Sequence, residues 1–147
     1  LEALVAKCEA AALGALGLDV DVCEGSVLAC DDVKIKELNA DFREKDKATN
    51  VLSWPAEERG ADEGALPDLP QADMFGAIEL GDIAISYDTC ATEAREAAKP
   101  FEHHVSHLLV HGILHLLGYD HINDADAAIM ERLETELLET LGVPDPY

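Results

Sequence analysis

Three histidines in the C-terminal third of the chain, His111, His115 and His121, have the spacing of a metal site. His111 and His115 are four residues apart, so on a helix both imidazoles project from the same face. Gly118 can adopt a left-handed backbone conformation, which ends a helix and turns the chain back. That turn would bring His121 to the open side of the pair. Three neutral imidazoles that converge in this way form a catalytic type of zinc site, with the fourth position left for water.

The spacing also matches the zinc-peptidase pattern H-E-x-x-H-x-x-G-x-x-H in every position but one. In those peptidases the glutamate after the first histidine is the general base, and here that position is Gly112. A peptidase without this carboxylate would be badly handicapped, so a substrate of another class is indicated. For the ring nitrogens that face away from a metal, nearby backbone carbonyls or Asp120 are candidate acceptors, although Asp120 could equally be an ordinary turn residue. We interpret His107 as a core histidine with satisfied hydrogen bonds.

The elements that must position these histidines form an α+β pattern. Apolar periodicity and capping residues predict five helices. They run from Leu1 to about Leu16, from Asp31 or Asp32 to Arg43, from Asp88 or Thr89 to about Lys99, from Pro100 to Leu116, and from Asn123 or Asp124 through Leu138, with Gly142 and Pro144 ending the last one. Strands are predicted over Leu18–Cys23, Asn50–Trp54 and Ile78–Tyr87, with a turn at Gly25–Ser26 and a long surface loop over Ala56–Asp73. We expect one domain over residues 1–147, in which a small mixed β-sheet carries helices mainly on one face and a zincin-like helix holds the metal site.

Composition restricts the classes of protein further. Hydrophobic residues make up 48% of the chain, as in globular proteins, and histidines interrupt the best candidate for a membrane span. The four cysteines have no C-x-x-C spacing and are interpreted as reduced, mostly buried thiols. The chain begins directly with an amphipathic helix rather than a signal peptide, which predicts a cytoplasmic protein. A formal net charge of −21 argues against broad, non-specific binding to nucleic acid.

Three blocks of sequence carry a resemblance to a known family. The block HGILHLLGYDH, over His111–His121, is similar to the signature of the YbeY family, bacterial endoribonucleases of ribosomal RNA maturation. The block LNADFREKDKATNVLSWP, over Leu38–Pro55, resembles the family pattern L-N-x-x-[YF]-R-x-x-D-x-x-T-[DN]-V-L-S-F-P, with Ala48 where proline is common and Trp54 in place of the usual phenylalanine. The block LGDIAI, over Leu80–Ile85, resembles the family's L-G-D-I-x-I strand. The blocks occur in the family's order, and the resemblance covers about Val20 to Tyr147.

The resemblance implies roles for individual residues. His111, His115 and His121 would bind one Zn²⁺ ion and take part in catalysis, although nickel or copper could occupy such a site in vitro. Arg43 falls on the family's functional arginine, and a guanidinium can hold a phosphodiester and stabilise charge that builds on it. From its spacing alone, Arg43 would be a surface residue at a helix end. We identify no general base other than the metal-bound water.

Basic residues are concentrated in one segment of this acidic chain. Five of the ten lie between Lys34 and Lys47, interleaved with four acids. We hypothesise that this segment forms a phosphate-facing rim, with a solvated helix face as the alternative. Ser53 and Thr49 are expected to stabilise the strand beside the cleft, because no Asp or His is spaced to complete a serine triad. Asp82 is given no catalytic role.

Together these features predict a zinc-dependent endoribonuclease that hydrolyses phosphodiester bonds in single-stranded RNA, in 16S rRNA 3′ end processing and ribosome quality control. The RNA substrate and the ribosomal role follow from the resemblance alone. The expected partners are single-stranded RNA or rRNA, together with ribosomal small-subunit proteins or a ribosome-associated GTPase, and neither a membrane nor DNA. Two alternatives stay open: a zincin-like metallopeptidase, and a non-catalytic ribosome assembly factor in which zinc staples the C-terminal helices.

Overall fold

Helices and strands follow one another in an α+β order. The computed structural model describes residues 2–43, 45, 47–57, 59, 61 and 64–147, except for the side chain of Arg43. Its elements are α1 (Glu2–Ala15), β1 (Cys23–Cys30), α2 (Asp32–Arg43), β2 (Val51–Pro55), β3 (Ile78–Ser86), α3 (Tyr87–Glu96), α4 (Phe101–Leu116) and α5 (Asp124–Thr140). No helix in these ranges is long and apolar enough to cross a membrane.

The three strands form one small sheet in the order β1-β3-β2. β1 pairs with β3 in parallel, and β2 pairs with β3 in antiparallel fashion, so the predicted mixed sheet is confirmed. β3 is the central strand, and consecutive side chains point to opposite faces. Ile83 and Ile85 belong to the main core, whereas Ala84 between them faces a smaller second cluster. β2 lies at the edge of the sheet, where one side of the strand can border a cleft.

Most helices cover one face of the sheet, as the sequence predicts. The main core unites side chains of α1, α4 and α5 with β3, and includes Leu13, Ile83, Leu109, Leu114 and Leu138. On the opposite face, α2 packs through Ile35 against Leu52 and Ala84. α4 is buried along most of its length. Because α4 lies directly on the sheet, histidines on its remaining face are held in fixed positions at the edge of the core.

The helix starts agree with the predicted caps except in α3. Asp31 accepts a hydrogen bond from the backbone N–H of Lys34 at 2.8 Å, and Asn123 accepts one from the N–H of Asp126 at 2.9 Å. α3 begins earlier than predicted, because Ser86 is its N-cap and accepts from the N–H of Thr89. α3 also ends before Lys99, because the positive φ of 53° at Ala98 breaks the helical path.

The position of the first strand was predicted wrongly. Residues Val20–Val22 form a 3₁₀ turn, and the strand begins at Cys23, where the prediction ended it. The side chain of Asp19 accepts a hydrogen bond from the N–H of Asp21 and turns the chain there. Gly25, assigned to a turn, lies inside β1 beside a shift of register, where a Cβ would come within 2.8 Å of the carbonyl oxygen of Gly81. The missing side chain therefore permits a close approach of two strands.

Candidate metal centre

The end of α4 has the geometry that the histidine spacing requires. Gly118 has a φ of 102°, the left-handed conformation predicted for it. Its N–H donates to the carbonyl of His115 at 3.0 Å, and the N–H of Tyr119 donates to the carbonyl of Leu114 at 3.0 Å. These two bonds form a Schellman motif, which satisfies carbonyls at the helix end and reverses the chain. The reversal returns His121 towards the last turn of α4.

His111, His115 and His121 converge in the structure. One nitrogen from each ring lies within 4.8 Å of the others, and the Nε2 atoms of His111 and His115 are 3.0 Å apart. Nitrogen ligands at 2.0–2.1 Å from a tetrahedral zinc ion are about 3.3 Å apart, so the His111–His115 spacing is close to that of two ligands of one ion. His111 and His115 are half-buried, and His121 is 54% exposed on the open side. The predicted grouping is confirmed, and the three imidazoles could hold one metal ion.

Glu134 of α5 lies behind this cluster and was not predicted. Its side chain is fully buried, and Oε1 is 2.5 Å from Nδ1 of His111. Oε2 accepts from His107 Nε2 at 3.0 Å and from the hydroxyl of Tyr147. Since a carboxylate accepts from Nδ1–H of His111, the Nε2 lone pair of that ring is left to face His115. This is the carboxylate–histidine arrangement that orients metal ligands in many proteins.

Several donors keep the buried Glu134 carboxylate charged. Burial by itself raises its pKa, but hydrogen bonds from His107, His111 and Tyr147 outweigh that effect and lower the pKa to about 2. A signal for this residue did exist in the sequence. Glu134 lies four residues after Met130 and three before Leu137, on the buried stripe of α5. An acid on such a stripe needs donors from another element.

The hydrogen-bond partners of His107, His115 and Asp120 agree in part with the sequence predictions. His115 has a hydrogen bond with the backbone of Tyr119, as expected for a backbone carbonyl acceptor. Asp120 accepts from the N–H of His121 at 2.7 Å, while its Oδ1 is 3.8 Å from Nδ1 of that ring. Asp120 therefore acts as a turn residue. The expectation of satisfied hydrogen bonds at His107 is confirmed, since its Nε2 bonds Glu134.

A cleft of about 660 Å³ lies in front of the histidines. β2 forms one wall, the last turn of α4 and residues 118–122 form another, and Lys45 and Arg59 also line it. Ser53 is buried on the β2 wall, which agrees with its predicted place beside the cleft. Of the two lysines after α2, Lys45 is exposed and lines the cleft, so one lysine of the segment hypothesised to face phosphate lies beside the histidines.

Comparison with known proteins identifies the family of this chain. The family model described as Endoribonuclease YbeY matches residues 1–142. The chain belongs to the YbeY family of endoribonucleases. It is 55% identical to Endoribonuclease YbeY of Ruegeria pomeroyi over 148 residues, which cover 100% of this chain and 90% of that protein. It is 54% identical to Endoribonuclease YbeY of Dinoroseobacter shibae, again over 100% of this chain and over 82% of that protein.

A solved structure confirms the fold. The chain is similar to the solution structure of TM1509 from Thermotoga maritima, with a TM-score of 0.62 and 28% sequence identity. The match covers 95% of this chain and 79% of that one. The α+β architecture predicted from the sequence is therefore that of a known fold.

Arg43, the arginine predicted from the YbeY blocks, ends α2. Its side chain lies outside the described residues, so its role stays a prediction. Glu44 and Asp46, which belong to the same block, also lie outside them. The neighbouring Lys45 is described and lines the cleft, two residues after the end of α2.

Burial and the neighbouring histidines favour the neutral form of His115, which is the form that binds a metal ion. Burial lowers the pKa of His115, the neighbouring His111 and His121 lower it further, and the result is about 4. The ring is therefore neutral at physiological pH. A neutral imidazole is the form that binds a metal ion, so little competition from protons is expected there.

This pKa predicts how the stability of the metal-free protein depends on pH. An unfolded chain protonates His115 near its ordinary value of 6.5, whereas the folded protein stays unprotonated until the pH approaches 4. The free energy of unfolding should therefore fall as the pH falls from about 6.5 to about 4. Urea unfolding with a chelator present, at a series of pH values, measures this. The decline should be shallower in His115→Ala, and identical declines in both proteins would contradict the prediction.

Proposed function

We propose that this member of the YbeY family is a zinc-dependent endoribonuclease that hydrolyses phosphodiester bonds of single-stranded RNA. The observation that carries the proposal is the convergence of His111, His115 and His121 at one cleft. Zinc is the ion that suits three imidazoles with an open position, because it accepts nitrogen ligands and tetrahedral geometry. The relatives named Endoribonuclease YbeY support RNA as the substrate class.

The roles of the residues follow from their chemistry. A zinc ion held by the histidines supplies a positive charge that acidifies water and offsets the charge of a phosphodiester. Glu134 holds His111 in the tautomer whose Nε2 faces the cluster. Lys45 at the mouth attracts phosphate, and Arg43 binds the non-bridging oxygens of the scissile group through its planar guanidinium.

We further propose a cytoplasmic role in 16S rRNA 3′ end processing and ribosome quality control. The net charge of −21 repels RNA from most of the surface, so productive binding is confined to the segment near Lys45. The same charge suits basic partners, and ribosomal small-subunit proteins or a ribosome-associated GTPase are the proposed ones. No role at a membrane or on DNA is proposed.

The test is RNA cleavage by protein of measured zinc content. Removal of zinc with a chelator should abolish cleavage of a single-stranded RNA, and stoichiometric zinc should restore it. Arg43→Ala should lower kcat by roughly 10²–10³-fold, as for other charge-stabilising groups, while zinc content stays unchanged. Arg95→Ala, a change of an exposed arginine on α3, is the matched control. Cleavage that survives both chelation and Arg43→Ala would indicate a contaminating nuclease and would overturn the proposal.

A metallopeptidase is disfavoured because Gly112 has no carboxylate to act as the general base. At the position of the peptidase base, a Cβ on Gly112 would lie 3.1 Å from Cδ1 of Ile83. A larger side chain there would therefore require the end of the Ile83 side chain to shift by a few tenths of an ångström. The other alternative, a non-catalytic assembly factor stapled by zinc, requires Arg43→Ala to leave function in cells intact.

A further inference from the structure

The loop between β2 and β3 reaches the metal centre through Arg59. The carbonyl group of Arg59 lies against Gly118, where a Cβ would come within 2.3 Å of its oxygen. Gly118 is thus required both for its positive φ and for this contact. A second tie lies nearby, since the N–H of Gly64 donates to Oδ1 of Asp126, in the first turn of α5, at 2.9 Å. The long loop predicted over Ala56–Asp73 is therefore anchored, at Arg59 and at Gly64, to both helices that bear on the site.

The guanidinium of Arg59 bridges the end of α4 and the sheet. Nη1 donates to the carbonyl of Leu116 at 2.9 Å and to that of Leu80 at 3.3 Å, and Nη2 donates to the carbonyl of Glu79 at 2.6 Å. The Schellman motif satisfies the carbonyls of Leu114 and His115 but not that of Leu116. Arg59 provides that missing donor, and its positive charge suits the negative end of the helix dipole.

We propose that Arg59 is a positioning residue for the metal centre. It clamps the last turn of α4 to β3 and so holds the turn between His115 and His121. His121 lies beyond the helix and is more than half exposed, so its place depends on that turn more than on packing. Because the three imidazoles must converge on one ion, a small shift of the turn weakens metal binding without unfolding the core.

This inference rests on the proposed metal site, and zinc affinity tests it. Wild type and Arg59→Met, a neutral side chain of similar length, are titrated with zinc against a chromophoric chelator. Outer partners of metal ligands typically contribute 10–100-fold to affinity, so Arg59→Met should bind zinc about tenfold more weakly. Arg59→Lys should restore little of the zinc affinity, because a single ammonium nitrogen lacks the planar fork with which two guanidinium nitrogens reach carbonyls on α4 and β3. It also serves as the test variant if Arg59→Met does not fold.

Cobalt substitution gives a measurement that would not change if Arg59 only stabilised the fold. The visible absorption of cobalt-loaded protein reports the number and geometry of ligands, and it should change in Arg59→Met. Arg95→Met, the same change at an exposed position, should match wild type in both measurements. Unchanged zinc affinity and cobalt spectrum in Arg59→Met, even with lower stability, would overturn this inference alone. A wild type that binds no zinc would instead contradict the proposed function.

Discussion

Replacement of His115 by alanine should reduce RNA cleavage by roughly 10³-fold or more, because the proposed zinc ion, which would stabilise the transition state by several kcal/mol, would no longer be held. His115 supplies the Nε2 atom 3.0 Å from that of His111, and two imidazoles leave the cluster short of the three needed. The variant should still fold, since the ring lies at the edge of the core and not within it. Zinc content after gel filtration and cleavage of a labelled single-stranded RNA measure the two effects together.

His103→Ala is the control on the same helix. His103 lies twelve residues before His115, roughly 18 Å along α4, and lines a different pocket near the C-terminal tail. This variant should keep both zinc and activity. Retention of full zinc content by His115→Ala would show that the ion is bound elsewhere. Retention of activity without zinc would refute the metal-dependent mechanism.

The part of the site that could be predicted from sequence is the part that depends on local geometry. His111 and His115 share a helix face because they are one turn apart, and Gly118 permits the left-handed turn that returns His121. Spacing and one backbone preference therefore suffice for the cluster. The helix caps at Asp31 and Asn123 follow from equally local hydrogen bonds.

The groups that support the cluster could not be located in this way. Glu134 follows His111 by 23 residues on another helix, so its contact depends on how α4 and α5 pack. Its position on the buried stripe of α5 implies that it has a hydrogen-bond donor nearby, but does not show which residue provides it. Arg59 lies in a loop without periodicity and binds backbone carbonyls, which leave no trace in residue types. The first strand was misplaced because Leu18–Cys23 alternates like a strand, whereas the side chain of Asp19 turns the backbone there.

Replacement of Glu134 should destabilise the metal-free fold. Glu134→Gln keeps the size of the side chain but places an amide among three groups that donate to the carboxylate. The donors from His107, His111 and Tyr147 are then left poorly satisfied in a buried place. We expect the free energy of unfolding to fall by about 2–4 kcal/mol, as for other broken buried charge networks. Urea unfolding of the metal-free protein measures the change, and Glu136→Gln, at an exposed position on α5, is the matched control.

The same variant should bind zinc about 10–100-fold more weakly, because His111 loses the acceptor that selects its tautomer. His107→Ala separates this effect from lost stability. His107 bonds the other oxygen of the carboxylate, so its loss should lower stability while zinc affinity stays close to that of wild type. If Glu134→Gln and His107→Ala weakened zinc binding equally, Glu134 would act through packing rather than through His111. A loss of zinc affinity in Glu134→Gln but not in His107→Ala would mean that α5, a helix outside the histidine motif, controls the metal site.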